Sequence, residues 1–538
     1  MLFEVGGVVA ERAITIRGTS YPVILPRLGD PRLHVAVVTL TVHLLGQVGL
    51  HFRLSVPQIL AAILTAAVIE MAITFRQQRA FIWPASAMLT ASGVALILRV
   101  PGMPANEPWN MSYLPLYAGV SVFALLTKYL IKYRGSHVFN PSNLGLVVTF
   151  IVLGNARVEP LDLWWVPISN VWMILAYLVI ILGSSALLMR AGLFAMSVAY
   201  YLTLAAGMAV LAASGHCITA NWAFAPVCGA DYWRVIVTSP EVLIYAAFMV
   251  TDPRVIPRGK VGKVVFGIGV GVLCTLFMAP QTDEFGTKVG LLAGLVPLCA
   301  GRYVFERWLP QPKTAADNLI GFGRRLVTGG SGTGLARRAG GVGALAVVVL
   351  VWGSGVVLAG TPARGVVAVN TSEAMLEGAP TQLDPSTLPP ITVTQPVWDW
   401  DQEIAGSAQQ LLVTLAQNLE LENQALLKHD PSLLTAVDHG ARLAEMQALL
   451  AQDEAAGTVT VTHCHFAEVT VRLLVPFGVQ TGLSLAFDSK GTMTQQTYDA
   501  SGSLVSEQTV PFAQTFAIRR ATGARWLTVA ALDYGASS

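Results

Sequence analysis

Charge is what this chain has least of. Asp, Glu, Lys and Arg make up 12% of its 538 residues, whereas a water-soluble protein carries about 25%. That deficit excludes a uniformly solvated protein. The formal net charge is +2, and no nucleic-acid partner is expected. Cysteine is scarce too: five residues are too few for a disulfide scaffold. The sequence has no Cys-x-x-Cys, no phosphate-cradling Gly-rich loop and no Ser-His-Asp set on a recognisable elbow, so it carries no signature of those chemistries. Residues 1–32 are mixed and basic and lack the apolar core and small-residue cleavage site of a secretory leader. The first apolar run is therefore expected to be a retained span.

What the chain has in abundance is apolar sequence: 54% of residues are hydrophobic and the mean hydropathy is +0.58. The excess is uneven. Residues 33–360 alternate apolar stretches with short polar breaks, and residues 361–538 have ordinary soluble composition. A hydrocarbon core about 30 Å thick needs about 20 apolar residues per helix. Only helices or closed barrels satisfy the backbone there. These Leu-, Val-, Ala- and Gly-rich runs lack period-two alternation, so they are read as helices. Eleven spans are expected, near 34–52, 54–75, 81–100, 112–131, 142–154, 168–188, 193–213, 236–250, 261–279, 287–305 and 341–359. The fifth and eighth are short, as a broken or re-entrant helix lining a cavity would be.

Basic residues fix the expected orientation, since Lys and Arg concentrate in cytoplasmic loops. One set of loops carries Arg76 and Arg79, Lys132 and Arg134, Arg190, then Arg254, Arg258 and Lys260, and finally Arg307, Lys313, Arg324, Arg325, Arg337 and Arg338. Arg12, Arg17, Arg27 and Arg32 sit on the same side. The opposite loops are poor in Lys and Arg: 101–111 has none, and 280–286 carries Asp283 and Glu284. This alternation places the N-terminus in the cytoplasm and the C-terminal domain outside the cell membrane. The expected fold class is a polytopic α-helical membrane protein, with about 10–11 transmembrane helices and a C-terminal soluble α+β domain. Its segments are a cytoplasmic stretch 1–32, a transmembrane domain 33–310, a basic loop 311–340, a last span 341–360, a linker 361–398 and an extracytoplasmic domain 399–538.

In residues 361–538 acidic side chains outnumber basic ones 18 to 8. Residues 361–398 are rich in Pro, Thr and Ser, as linkers are. From Trp400 to Leu427, Ile404, Leu411, Leu412, Leu415 and Leu419 recur at helical spacing. A second helix is expected over Pro431–Gln452, capped by Asp430 with Pro431 in its first turn. Alternating β-formers then predict strands at Thr458–Phe466, Glu468–Val475, Leu483–Phe487, Gly491–Tyr498, Gln514–Ile518 and Trp526–Ala530, with hairpin turns at Ser489–Gly491 and Ala500–Gly502. Helices followed by an antiparallel meander make an α+β layer. Their order is similar to the cone fold of the nuclear transport factor 2 superfamily.

Two stretches of the membrane region stand out. Gly135-Ser-His-Val-Phe-Asn-Pro-Ser-Asn143 leads into the fifth span. Asn140 can cap a helix and Pro141 suits its first turn. With Ser142 and Asn143, they put several hydrogen-bonding groups where a helix N-terminus could meet an anion or cofactor. Phe248-Met-Val-Thr-Asp-Pro-Arg254 closes the eighth span and is followed by Ile256-Pro-Arg-Gly-Lys260 and a Gly-rich run. Thr251 and Asp252 can bond free backbone groups there, and Pro253 disfavours helix at the residue before it.

Together these stretches resemble the RnfD/NqrB family, the membrane subunits of ion-translocating electron-transport complexes. The resemblance rests on Phe139-Asn140-Pro141 and on Phe248-Met249-Val250-Thr251-Asp252-Pro253 with Arg258-Gly259 and the span from Val264. It covers roughly residues 35–305 and is closest to the divergent UnbU branch found with enediyne biosynthesis genes. The resemblance implies membrane electron transport coupled to ion movement, with other membrane redox subunits as partners, because no nicotinamide site is present. It also implies cofactor-binding roles for Asn140, Asn143, Thr251 and Asp252. Family members with covalent FMN attach it to a Thr in a Gly-Ala-Thr-type motif. The nearest match here is Cys228-Gly229-Ala230-Asp231. A carboxylate cannot supply the hydroxyl of that phosphoester, so covalent FMN is not expected. A non-covalent flavin, FMN or riboflavin, stays open, with Trp164, Trp165, Trp172, Trp222 and Trp233 as stacking faces or membrane anchors. Two alternatives remain. One is an UnbU-like transport or accessory protein without redox activity. The other is a membrane-anchored extracytoplasmic binding module.

Other residues carry narrower expectations. Glu70, inside the second span, is read either as an ion-pathway carboxylate or as a snorkelling partner of Arg76. Cys217 and Cys228 share an outer loop and are the disulfide candidate. His34, His43 and His51 lack the cross-helix pairing that haem requires. His463 and His465 share a strand face with Cys464 between them, a weak metal site, and no metal is expected.

Overall fold

In this computed structural model the described residues are 12–101, 103, 107–164, 166, 168–328, 335–364, 388–474, 483–520 and 525–536. They divide into two compact units. One spans 1–216 and 228–363; the other joins 217–227 to 364–538.

The first unit is helical. Its helices are α1 (Pro31–Val48), α2 (Val56–Gln78), α3 (Ala85–Ile97), α4 (Leu114–Leu130), α5 (Pro141–Leu153), α6 (Val171–Ala191) and α7 (Phe194–Ala213). They continue with α8 (Gly229–Val237), α9 (Pro240–Ile244), a π-helical turn Tyr245–Met249, α10 (Lys260–Met278), α11 (Glu284–Ala293), α12 (Leu295–Phe305), α13 (Leu319–Thr328) and α14 (Leu335–Ala359). Among the described residues, five helical stretches are long and apolar enough to cross a bilayer: Val56–Gln78, Val171–Ala191, Phe194–Ala213, Lys260–Met278 and Val342–Ala359. Four more are apolar but shorter: Ala85–Ile97, Leu114–Leu130, Pro141–Leu153 and Pro240–Met249.

Every expected span is helical, but three differ in detail. The third is trimmed to α3 because Phe81–Ile82 (β3) and Leu98–Arg99 (β4) are extended. β3 joins Arg12–Ile16 (β1) and Thr19–Ile24 (β2) in a small sheet, and β4 pairs with Glu159–Pro160 (β7). Between them Lys132–Tyr133 (β5) and Ser136–His137 (β6) form a short hairpin. The eighth span is α9 plus the π turn, started by Ser239 as cap and Pro240 at the first position. The tenth breaks into α11 and α12 at Gly294, where the Cys274 backbone approaches too closely for any Cβ.

Apolar side chains both fill the interior of this unit and cover its outside. Leu44, Leu64, Val68, Ile151, Leu182 and Leu350 are exposed, while Glu70, Lys128, Glu284, Lys288 and Arg302 are buried. An apolar solvent around the helices accounts for both facts.

The second unit is α+β. After the single turn α15 (Thr361–Arg364), its helices are α16 (Gln395–Trp400), α17 (Gln402–Gly406), α18 (Ala408–Lys428), α19 (Pro431–Val437) and α20 (Gly440–Ala456). Its segment 217–227 begins with the two-residue strand β8 (Cys217–Ile218) and ends at β9 (Val227–Cys228). The sheet has the order β10 (Ile391–Val393), β11 (Thr458–Leu474), β12 (Ser484–Asp499), β13 (Leu504–Arg520), β14 (Trp526–Asp533). β10 runs parallel to β11, and all the later pairs are antiparallel.

Four expectations are corrected here. The end of the linker is structured, because β10 and α16 belong to the fold. The second helix breaks at Asp438–His439, whose extended backbone pairs with Thr528 of β14. Thr458–Phe466 and Glu468–Leu474 are one strand interrupted by a bulge between Phe466 and Glu468. The Ser489–Gly491 turn does not form: these residues continue β12 opposite that bulge, where the His465 carbonyl leaves no room for a Cβ at position 491. The sheet and α18 enclose a core of Leu412, Leu415, Phe466, Val469, Phe487 and Phe516, into which Phe224 of the 217–227 segment is also packed.

Candidate functional site

The two stretches singled out in the membrane region meet, although more than a hundred residues separate them. Asn140 is the N-cap of α5; its Oδ1 accepts from the Asn143 N–H at 3.0 Å and the Ser142 hydroxyl at 2.8 Å. Its amide donates to the Met249 carbonyl at 3.4 Å, at the end of the π turn. Wide π turns leave carbonyls less well paired and recur at functional sites. Asn143 donates to the Leu292 carbonyl of α11 at 2.9 Å, and the Tyr245 hydroxyl reaches the same oxygen at 3.4 Å. Thr251 Oγ1 donates to the Ala247 carbonyl at 2.5 Å. Asp252 caps the Arg254 N–H at 3.0 Å and faces His137 Nε2 at 3.2 Å. Burial opposes ionisation of this loop carboxyl, but the hydrogen bond and charge of His137 outweigh it and hold Asp252 below the usual carboxylate range. Arg302 closes the group by donating to the Arg254 carbonyl at 2.5 Å.

The structure therefore brings Asn140, Asn143, Thr251 and Asp252 into one neighbourhood. It spends the Asn140, Asn143 and Thr251 side chains on backbone groups that a cap and a π turn leave open. That is strong positioning of α5, α9 and α11, and a ligand there would compete with those bonds.

Glu70 belongs to a second group at the same end of the bundle. Its partner is Lys128 of α4, not Arg76: the ammonium forms a close ion pair with the carboxylate and donates to the Ser86 hydroxyl at 2.9 Å. The Glu70 carboxylate also accepts from the Ala87 N–H at 2.7 Å, in the first turn of α3, and from the Tyr129 hydroxyl at 2.9 Å. Glu70 and Lys128 are 5% and 8% exposed. A helix N-terminus, an ammonium and a phenol thus hold one carboxylate. Sequence reading missed Lys128 and Tyr129. The signal was present as a lysine inside an apolar run, but nothing local says which helix its partner lies on.

The remaining candidates are placed as follows. Asp231 is on the surface, paired with Arg234 at 3.0 Å. Cys217 and Cys228 are disulfide-bonded, and Cys274, Cys299 and Cys464 are free thiols. Among the tryptophans, Trp164 is buried with its indole N–H on Ser239 at 2.9 Å, Trp233 donates to the Ala205 carbonyl, and Trp165 lies outside the described residues. His463 is half-buried near Glu420 at 3.3 Å, whereas His465 is exposed. Together Glu420, Asn423, His463 and Cys464 line a shallow hollow between α18 and β11. Burial pushes the Cys464 thiol up to about 12, so it is not a thiolate at neutral pH. Among the described residues no group of three or more His, Cys, Asp or Glu side chains is placed to hold a metal ion.

The second unit also holds a buried acid pair. Asp438 is fully buried, and neither of its oxygens has an amide or hydroxyl partner among the described residues. Its neighbour Glu422 is held by the Arg442 guanidinium through two hydrogen bonds of 3.0 and 2.5 Å. Burial, then the Glu422 charge, push Asp438 up to about 10. Asp438 is thus a neutral acid at pH 7, with its proton directed to Glu422.

No family profile matches the chain, and no curated protein matches it significantly.

Proposed function

We propose that this is a multi-pass protein of the cell membrane whose helical unit moves a monovalent cation, as a membrane subunit resembling RnfD/NqrB that receives electrons from partner redox subunits. The Glu70–Lys128 pair carries this reading. Taking two opposite charges out of water costs several kcal/mol per ion before their attraction is counted. Ionisable groups within spans mark ion and proton paths. Its closeness in the fold to the joined Asn-Pro and Thr-Asp-Pro segments ties the charge pair to the residues that carry the resemblance.

Sidedness has independent support. Residues 217–227 and 388–536 belong to one folded unit, and a folded water-soluble unit lies on one side of a bilayer. The chain between Cys228 and Arg364 must then cross an even number of times. On this reading α9 with its π turn, α10, α11 with α12, and α14 would make four crossings, of which α10 and Val342–Ala359 of α14 are long and apolar enough singly. The disulfide state of Cys217 and Cys228 fits an oxidising, extracytoplasmic side. The basic loops then face the cytoplasm, as does the N-terminus. Helices preceding a long antiparallel meander also support a cone-type reading of the outer unit.

One observation favours a second reading, an UnbU-like transport or accessory protein without redox activity. At the position where the resemblance expects a flavin-bearing Thr, the side chain is the exposed Asp231, engaged with Arg234. The visible absorption spectrum of the purified full chain, followed by acid extraction, separates the two. An acid-released flavin band supports the redox-coupled reading. A colourless protein, after expression with flavin and partner subunits supplied, rejects it in favour of uncoupled transport.

A further inference from the structure

Between α12 and α14 the chain carries a short helix, α13, that the proposed function does not use. At about 3.6 residues per turn, Leu319, Ile320, Phe322, Leu326 and Val327 share one arc of roughly 160°. Arg324 and Arg325 lie on the other side, one near each border of that arc. The apolar arc is open. Leu319, Ile320, Leu326 and Val327 are exposed, Ile320 to 76%, and Phe322 is half-buried. With 10 residues, α13 is too short to cross a bilayer.

A contact sets its depth. Asp317, two residues before α13, accepts from the Lys260 N–H at 3.0 Å and from the Val261 N–H at 2.9 Å. These are first-turn donors of α10, whose N-cap Gly259 has no side chain to offer them. Asn318 then starts α13 by accepting from the Ile320 N–H at 3.1 Å. α10 has 19 residues. That is about 28 Å at 1.5 Å per residue, close to a hydrocarbon core about 30 Å thick. Where α10 spans, its first turn lies at the edge of that core, and Asp317 holds the start of α13 at the same level. Trp308, on the same connection, is 78% exposed, and tryptophan favours the headgroup level. Residues 306–328 carry Arg307, Lys313, Arg324 and Arg325 against Glu306 and Asp317.

We propose that α13 lies in the plane of the membrane surface and binds anionic phospholipid, its apolar arc among the acyl chains and Arg324 and Arg325 on headgroup phosphates. Arg325 spends one donor on the Ala316 carbonyl at 2.9 Å, which holds it beside the loop. A guanidinium has five such donors. Charge complementarity selects lipid over a second copy of this chain, because two α13 faces docked together would set like-charged arginine pairs against each other. The inference rests on the membrane placement of the helical unit and not on cation movement.

The test puts a fluorophore on a cysteine introduced by Ile320→Cys in the full chain, reconstituted in nanodiscs, with background labelling of the parent chain subtracted. The quenchers are iodide in water, spin-labelled phosphatidylcholine and spin-labelled phosphatidylglycerol. The expected result is quenching by lipid rather than by iodide, several-fold stronger with phosphatidylglycerol at equal content. Each arginine removed in Arg324→Gln/Arg325→Gln lowers that preference about fivefold, and Arg157→Gln, at an exposed arginine of another loop, keeps it. A probe at Leu350→Cys, on the open face of α14, reports membrane placement itself. Lipid quenching at 350 without lipid quenching at 320 overturns this inference alone. So does equal quenching by the two lipids at 320, or a preference that the double variant keeps. Lipid quenching at neither position overturns the membrane placement with it. Protection at 320 from all three quenchers means that a second copy or another protein segment covers the face, and overturns the inference as well.

Discussion

At the residue scale the chain uses buried charge in two ways. In the helical unit the Glu70 carboxyl group is satisfied by Lys128, Tyr129 and the Ala87 N–H. Removing one partner from such a pair costs about 3–5 kcal/mol, whereas replacing both with neutral groups of similar size is often tolerated. In the second unit Asp438 stays neutral beside Glu422. The consequence for stability has a definite sign. Asp438 titrates near 4 in the unfolded chain and is pushed up to about 10 in the fold. Its contribution is fully present below about pH 4 and is lost progressively as pH rises toward about 10, at up to about 1.4 kcal/mol per pH unit. Asp438→Asn keeps a hydrogen-bond donor toward Glu422 without the titrating proton. Its unfolding midpoint is expected to exceed that of wild type at about pH 8 and to depend less on pH. Midpoints measured across that range check this; parallel curves for the two proteins would contradict it.

At the scale of elements, the 217–227 segment is the piece that completes the second unit. Phe224 packs 5.3 Å from the Trp526 ring, its carbonyl accepts from Arg519 at 3.2 Å, and the Ala223 carbonyl accepts from the Leu483 N–H at 3.2 Å. Phe224→Ala in the full chain should cost about 3–5 kcal/mol, read as a lowered midpoint for that unit. Residues 388–538 expressed alone should bind a hydrophobic dye and recover cooperative unfolding when a peptide of residues 217–227 is fused to them. Cooperative unfolding of the fragment without it would contradict this packing.

No local pattern announces such an association, which is why the sequence places 214–235 as a simple loop. The helices were legible because a continuous apolar run specifies a helix wherever water is absent. The Asn140 cap and the Asp430–Pro431 start were legible because capping is local. The bulge in β11 was not, because period-two reading sees only that alternation slips at Phe466–Glu468 and takes two strands. Nor was the break at Asp438, which depends on pairing with Thr528 far along the chain. The same limit governs the candidate sites. Asn140, Asn143, Thr251, Asp252 and Glu70 could be named from residue type and position, but Lys128 acquires meaning only from the helix it faces.

At the scale of the whole molecule, the membrane reading draws together features that a soluble fold leaves unrelated. Exposed faces are apolar, charges are buried in groups within a helical bundle, basic loops alternate with neutral ones, and an acidic α+β unit includes a disulfide-flanked segment. The central claim is that this bundle moves a monovalent cation. The most direct measurement is cation uptake into liposomes reconstituted with the purified full chain, driven by an imposed membrane potential or, where flavin is bound, by a reduced dye. The account predicts uptake above that of protein-free vesicles, abolished in the Glu70→Gln/Lys128→Met double variant although that variant still folds. Uptake no greater than in empty vesicles under either drive, or equal in wild type and the double variant, would contradict it.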